Sequence, residues 1–208
     1  MSSMLPLPGT ARPLPGRDLL LVALLGAALF LPYLGRRDLW SSRETRVAQV
    51  ARQMRFADSV REWIVPRLGD EERLKKPPLA YWMAAICSLP WRDVDEFNSR
   101  LPNALASIGA MLLVYIMGRS LFGRGSGLLA AVAFATTADV WLEGRTSGIE
   151  MPLLFFNLLA LCSWWKSRRT GNPRAWLLLC YAALGLSFLQ KGPVGPAQVL
   201  LIILAWLA

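Results

Sequence analysis

Apolar runs of bilayer-crossing length recur along this chain, and no other feature restricts its fold as strongly. They occupy residues 18–34, 101–121, 127–142, 151–165, 175–189 and 193–208, with short polar connections between most of them. Hydrophobic residues make up 54% of the 208, and the mean hydropathy of +0.38 is too high for an ordinary soluble domain. In a bilayer every backbone amide must be satisfied within its own segment, so long apolar runs become helices. The predicted class is an all-α integral membrane protein, a multi-span helical bundle. The length has room for one domain or part of a larger one.

Charge supplies a direction. The chain carries 23 Lys and Arg against 14 Asp and Glu, a formal charge of +9. Its basic residues lie between apolar spans and form no continuous stripe, which argues against nucleic acid and for anionic membrane lipids. Arg12 and Arg17 precede the first span, so that helix is expected to run outward from a cytoplasmic lead formed by residues 1–17. No small-residue cleavage site follows it, so it is read as a retained anchor. Residues 18–208 then form the transmembrane domain. Residues 79–90 are apolar but too few to cross. If they stay on one side, the basic loops at 119–124 and 166–174 face inward, as the positive-inside rule requires. Glu44, Lys75, Lys76, Arg100, Glu143, Arg145, Glu150 and Lys191 then share one outer layer. The last apolar run reaches Ala208 with nothing polar behind it, which suggests that the frame continues.

Within the polar stretch 35–78, Val47, Val50, Ala51 and Met54 repeat at helical spacing. This predicts an amphipathic helix over 44–56 of the kind that lies on a membrane surface. The first outer loop therefore holds amphipathic juxtamembrane helices. The three cysteines, Cys87, Cys162 and Cys180, show no CxxC spacing, and there is no histidine to bind metal or act as a base near neutral pH. No metal site and no cofactor are expected.

Several polar residues have both a bland and a chemical reading. Glu44 at a helix start caps the dipole, or serves as a base where an acceptor hydroxyl approaches. Lys75 and Lys76 before Pro77 and Pro78 snorkel to headgroups, or one binds a phosphate. Lys191, in Gln-Lys-Gly-Pro, carries the same choice. Glu143, Arg145 and Glu150 form an acid–base–acid group in which Arg145 pairs with one glutamate on the bland reading. The tryptophans mostly sit near span ends and need only the interfacial belt.

Taken together, these stretches resemble the GT-C glycosyltransferases of the protein O-mannosyltransferase and aminoarabinose transferase superfamily. The residues that carry the resemblance are Glu44-Thr45-Arg46 with the helix after it, Lys76-Pro77-Pro78-Leu79 with Tyr81-Trp82, Arg100-Leu101-Pro102, and Lys191-Gly192-Pro193. The resemblance implies a polyprenyl-phosphate-linked sugar donor, inverting transfer, and a lipid, glycan or protein acceptor on the outer face of the cell membrane. It also implies an Asp-Glu pair in the first outer loop, where this chain has Arg43 and Glu44, and a second acid at Glu150. Some relatives hold a metal, whose ligands this chain lacks. By this resemblance Glu44 and Glu150 are the catalytic carboxylates. Lys76 and Lys191 contact the donor phosphate, and Arg100 and Arg145 are further substrate-binding cations. A transporter or flippase for lipid-linked substrates and a non-catalytic membrane interaction protein are the two rival readings.

Overall fold

In a computed structural model, residues 16–208 are described. The cytoplasmic lead expected for residues 1–17 lies almost wholly outside them, and the first helix already begins at Gly16. Among the described residues ten helices and one minimal hairpin follow in chain order. They are α1 (Gly16–Phe30), α2 (Ser42–Arg55), α3 (Val60–Ile64), β1 (Arg67–Leu68), β2 (Glu71–Glu72), α4 (Leu79–Cys87), α5 (Glu96–Phe122), α6 (Arg124–Thr136), α7 (Ala138–Glu143), α8 (Glu150–Ser167), α9 (Pro173–Lys191) and α10 (Val194–Leu207). The two short strands pair antiparallel around Gly69, whose φ of 66° suits a tight reversal.

The long helices pack as a bundle around α5, which touches α1, α6 and α8, while α9 and α10 close the far side of α8. Interfaces are made by small residues: Ala104, Ala110, Ala131, Ala135, Ala160 and Ala183 are all buried. At Gly127 an added Cβ would stand 2.8 Å from Tyr115 O, so only glycine allows α6 to approach α5 this closely. Larger apolar side chains point outward instead, among them Leu129, Leu178 and Leu201, each about two-thirds exposed or more. Small residues inside with leucines outside is the arrangement expected of helices that associate within lipid.

Lengths refine the spans read from the sequence. Among the described residues one helix, α5, is both long and apolar enough to cross a bilayer by length and composition. Helices α8 and α9 have 18 and 19 residues, whereas α1 and α10 have 15 and 14. The run 127–142 is not one helix. It breaks at Thr137, which adopts an extended conformation (φ −62°, ψ 129°) while its hydroxyl donates to Ala133 O. Thr136 likewise donates to Val132 O, and such back-bonding loosens a helix.

The amphipathic helix expected over 44–56 is α2. Ser41 caps it by accepting from the Glu44 N–H, and Thr45 Oγ1 donates to Leu39 O and Ser41 O. Its apolar stripe does not stay open for lipid. Val47, Val50, Ala51 and Met54 are buried against Tyr81, Ala84 and Ala85 of α4, with Trp63 and Trp82 at the rim. Each helix covers the other's apolar face, because both stripes have the same short length and lie in the same connection. Arg55 Nη1 ties the pair by donating to Ser88 O at 2.6 Å. Helix α4 also packs on α5 and α9, which seats this subassembly over one end of the bundle.

Candidate functional site

The capped end of the bundle is organised by one arginine. Arg100 lies in the first turns of α5 and is 4% exposed. Its Nε donates to Glu44 Oε1 at 2.9 Å and its Nη2 to Oε2 at 3.4 Å. Nη1 donates to Leu34 O and Arg37 O, both at 2.6 Å, and Nη2 also reaches Asp38 O at 3.0 Å. The turn after α1 presents these carbonyls, and Tyr33 within it adopts a left-handed conformation (φ 62°) with the Arg36 guanidinium over its ring. All five guanidinium hydrogens are accounted for, so Arg100 has no donor free for a phosphate. It holds the loop, α2 and α5 together.

Glu44 is the other half of this pair and is 4% exposed. Besides Arg100 it accepts the Ser147 N–H at 3.0 Å, which ties α2 to the connection between α7 and α8. Burial acts to raise its carboxyl pKa. The Arg100 hydrogen bonds, the Ser147 amide and the Arg100 charge outweigh that and hold it below the ordinary value. Both oxygens are engaged.

Arg145 does not pair with a glutamate. Its Nη1 and Nη2 donate to Leu29 O and Pro32 O at 2.7 and 2.6 Å, and its guanidinium lies 5.2 Å from the centroid of the Trp141 ring. Those carbonyls close the end of α1 and would otherwise lack donors, so a helix C-terminus outcompetes a neighbouring carboxylate. Glu143 is paired instead with Arg43, one hundred residues away, at 2.8 Å. Its second oxygen is buried and has no partner. Asn103, one turn after Arg100, donates from Nδ2 to Glu143 O at 3.1 Å.

Glu150 begins α8 and Lys191 ends α9. The lysine Nζ stands 2.8 Å from both carboxylate oxygens, with both side chains partly exposed. Beside them Gln190 donates from Nε2 to Ile149 O, fixing the end of α9 to the start of α8. Lys76 differs from all of these. It lies in the bend before α4, is exposed, and among the described residues has no hydrogen bond or ion pair.

Thus Glu44 and Arg100 meet directly, as do Glu150 and Lys191, and Arg145 secures the same end of the bundle. Ser147, Asn103 and the pairing of Arg43 with Glu143 were not singled out by sequence reasoning; the signal for Glu143 and Ser147 is the polar run 143–150 between two apolar segments, and Asn103 has none.

This fold is similar to that of a part of ArnT from Cupriavidus metallidurans. The apo crystal structure superposes with a TM-score of 0.81 over 92% of this chain and 36% of that one, and the structure bound to undecaprenyl phosphate with 0.82 over 93% and 36%. Both are 20% identical to this chain, so the likeness concerns the fold. Residues 17–208 match the family model described as dolichyl-phosphate-mannose-protein mannosyltransferase, and the chain belongs to that family. An uncharacterized protein of Aquifex aeolicus is 33% identical over 145 residues, 70% of this chain and 33% of its own length. An undecaprenyl phosphate-alpha-4-amino-4-deoxy-L-arabinose arabinosyl transferase of Erwinia tasmaniensis is 29% identical over 196 residues, 92% of this chain and 34% of its own length. The chain therefore spans about a third of the length of these curated relatives.

Proposed function

We propose that this chain is the catalytic N-terminal part of a membrane glycosyltransferase that moves a sugar from a polyprenyl-phosphate donor to an acceptor at the outer face of the cell membrane. The observation that carries this reading is the polar end of the bundle. Carboxylates and cations from α2, α5 and the 143–149 connection meet there, and Glu150 and Lys191 pair at the adjoining ends of α8 and α9, in a chain whose family model is named for a lipid-phosphate-sugar transferase. The leucine-covered exterior of the bundle supports a multi-span membrane domain, in which tilt and the rest of the protein accommodate the shorter helices.

Within this scheme Lys76 engages the donor phosphate, because its ammonium is exposed and unpaired and a lysine acts on phosphate as a point charge. Lys191 reaches the same phosphate by exchanging one carboxylate oxygen of Glu150 for a phosphate oxygen. Arg100, whose five hydrogens go to Glu44 and to backbone carbonyls, shapes the site without touching substrate, while Arg145, with two of its five on Leu29 O and Pro32 O, secures the end of α1 and keeps hydrogens for substrate. Glu44 keeps the α2 start and the 143–149 connection in register. Glu150 orients Lys191. Phosphate departure requires its developing charge to be met by cations already in place, and the lysines supply that.

The transporter reading requires charges near the middle of the spans. There the bundle offers neutral groups: Ser187 Oγ donates to Asn157 Oδ1 at 2.5 Å, and Asn157 Nδ2 donates to Gln198 Oε1 at 2.9 Å. The test is sugar transfer by the full-length protein reconstituted in nanodiscs, with labelled polyprenyl-phosphate sugars. Release of polyprenyl phosphate coupled to a new glycosidic product is expected. Movement of intact donor across the bilayer without cleavage would replace the transferase reading.

A further inference from the structure

The ends of α8 and α9 that lie away from the Glu150–Lys191 pair carry a cluster for which the proposed transfer has no use. Lys166, Arg168, Arg169 and Arg174 fall there, and no Asp or Glu occurs between Met151 and Ala208. The only acid at this end among the described residues is Asp18, which Arg124 and Tyr115 already engage. Cations here meet rings instead of carboxylates. The Arg168 Cζ stands 5.7 Å from the ring centroid of Trp164 and 5.3 Å from that of Trp206. Arg169 Cζ lies 4.1 Å from the centroid of Trp165, and Lys166 Nζ 4.1 Å from that of Trp176. The rings are themselves fixed. Trp206 meets Trp164 and Trp165 edge-on at 5.2 and 5.9 Å, and Trp165 Nε1 donates to Ser120 Oγ of α5 at 3.2 Å. The ends of α5, α8 and α10 thus hold two guanidiniums at the surface.

The α8 dipole, a cytoplasmic face and the interfacial belt account for cations and tryptophans at this end, but not for their stacking on one another. A guanidinium held over an aromatic face is attracted to the π cloud and spends none of its five hydrogens there. Among the described residues the side chains of Arg168 and Arg169 have no hydrogen bond or ion pair, and both are exposed. They are held in place and still able to donate as forks, which the two free oxygens of a phosphodiester accept. With no free acid nearby, the cluster favours a headgroup of net negative charge, whereas a zwitterionic one brings an ammonium that it repels. Leu204 and Leu207, 60% and 55% exposed in the same turn of α10 as Trp206, offer apolar surface to an acyl chain. We propose that the ends of α8 and α10 bind the headgroup of an anionic phospholipid. Arg168 and Arg169 donate to its phosphate, and Trp164, Trp165 and Trp206 hold the two guanidiniums. This rests on the reading of the chain as a membrane domain and not on sugar transfer.

The full-length protein in neutral detergent is titrated with phosphatidylglycerol and, separately, with phosphatidylcholine, and bound lipid is counted by native mass spectrometry. Phosphatidylglycerol is expected to bind at least about 10-fold more tightly, the scale of one charge-assisted hydrogen bond. Arg168→Gln with Arg169→Gln should abolish the preference. Arg168→Lys with Arg169→Lys keeps both charges but loses the forks, and should weaken phosphatidylglycerol about 10-fold. Arg174→Gln removes a charge from the same exposed loop without disturbing a ring, and should change binding by no more than about twofold. Equal retention of the two lipids by the unsubstituted protein overturns the site. So does parent-like binding by the lysine variant, or a loss in Arg174→Gln as large as in the glutamine pair, because diffuse surface charge then explains the binding. Displacement of the lipid by inorganic phosphate overturns a phospholipid as the occupant. A full-length protein that stays in solution without detergent overturns the membrane reading. Lipid preference without sugar transfer supports the site and overturns only the transferase reading.

Discussion

The two ends of the bundle each bury a carboxylate against arginine, yet they are built to different ends. At one, Asp18 of α1 is 1% exposed and accepts from Arg124 Nε and Nη2 at 2.7 and 2.8 Å and from the Tyr115 hydroxyl at 2.9 Å. Arg119 adds a bond to that hydroxyl. This joins α1, α5 and α6 in a closed knot, with Arg124 itself well exposed. At the other end, Glu44 and Arg100 are both 5% exposed at the side chain and equally well satisfied. Glu143 beside them, however, keeps an oxygen without a donor, and Lys76 before α4 is exposed and pairs with no described residue. A saturated ion pair fastens helices. Polar groups left over beside one are where a ligand finds something to bind.

That contrast breaks first at the buried pair. Glu44→Gln leaves the Arg100 charge buried without its counter-ion, and a loss of about 3–5 kcal/mol is expected, read by thermal or denaturant unfolding in detergent. A loss below about 1 kcal/mol would mean that Arg100 is solvated after all. The same pair fixes a pH dependence. Because the folded pKa of Glu44 is depressed, its contribution is complete above the unfolded value near 4.5 and disappears as pH falls through the lower, folded one. In Glu44→Gln the stability profile should be flatter on the acid side.

At the opposite end, Asp18→Asn should cost less, about 1–3 kcal/mol, because exposed Arg124 can turn to water or headgroups. Its transfer rate per folded molecule should equal the parent's. A specific loss of rate there would erase the functional distinction between the ends. Lys76→Ala should change stability by no more than about 0.5 kcal/mol, as surface substitutions do. Undecaprenyl phosphate binding should weaken about tenfold, and equal binding would remove Lys76 from the phosphate site. The smallest effect belongs to Arg43 and Glu143. A double-mutant cycle on stability should give about 0.2–1 kcal/mol, as for other partly exposed pairs.

Much of the site was legible one residue at a time. Glu44, Arg100, Glu150 and Lys191 stand near helix starts and ends, where a charge has both a capping and a chemical reading. Their pairing was less legible. Arg145 next to Glu143 and near Glu150 invites a local ion pair, but the end of α1 offers two carbonyls that need donors more. Arg43, set in the first connection, crosses to Glu143 because packing of α2 over α5 brings those loops together. The stripe of α2 suggested a membrane surface, since periodicity reports that a face is covered and not by what. Helix α4 covers it.

By itself the sequence determined the helical class, the approximate place of most apolar helices and the helix ends at which charges collect. These follow from hydropathy and chain parity, which are local or additive properties. Only the tertiary structure decided which carboxylates are saturated. Hydrogen-bond saturation depends on partners up to a hundred residues away, and no spacing rule counts them. The layer of charges read from the apolar runs thus divides in two, into the paired groups around Glu44 and Arg100 and a remainder at Lys76 and Glu143.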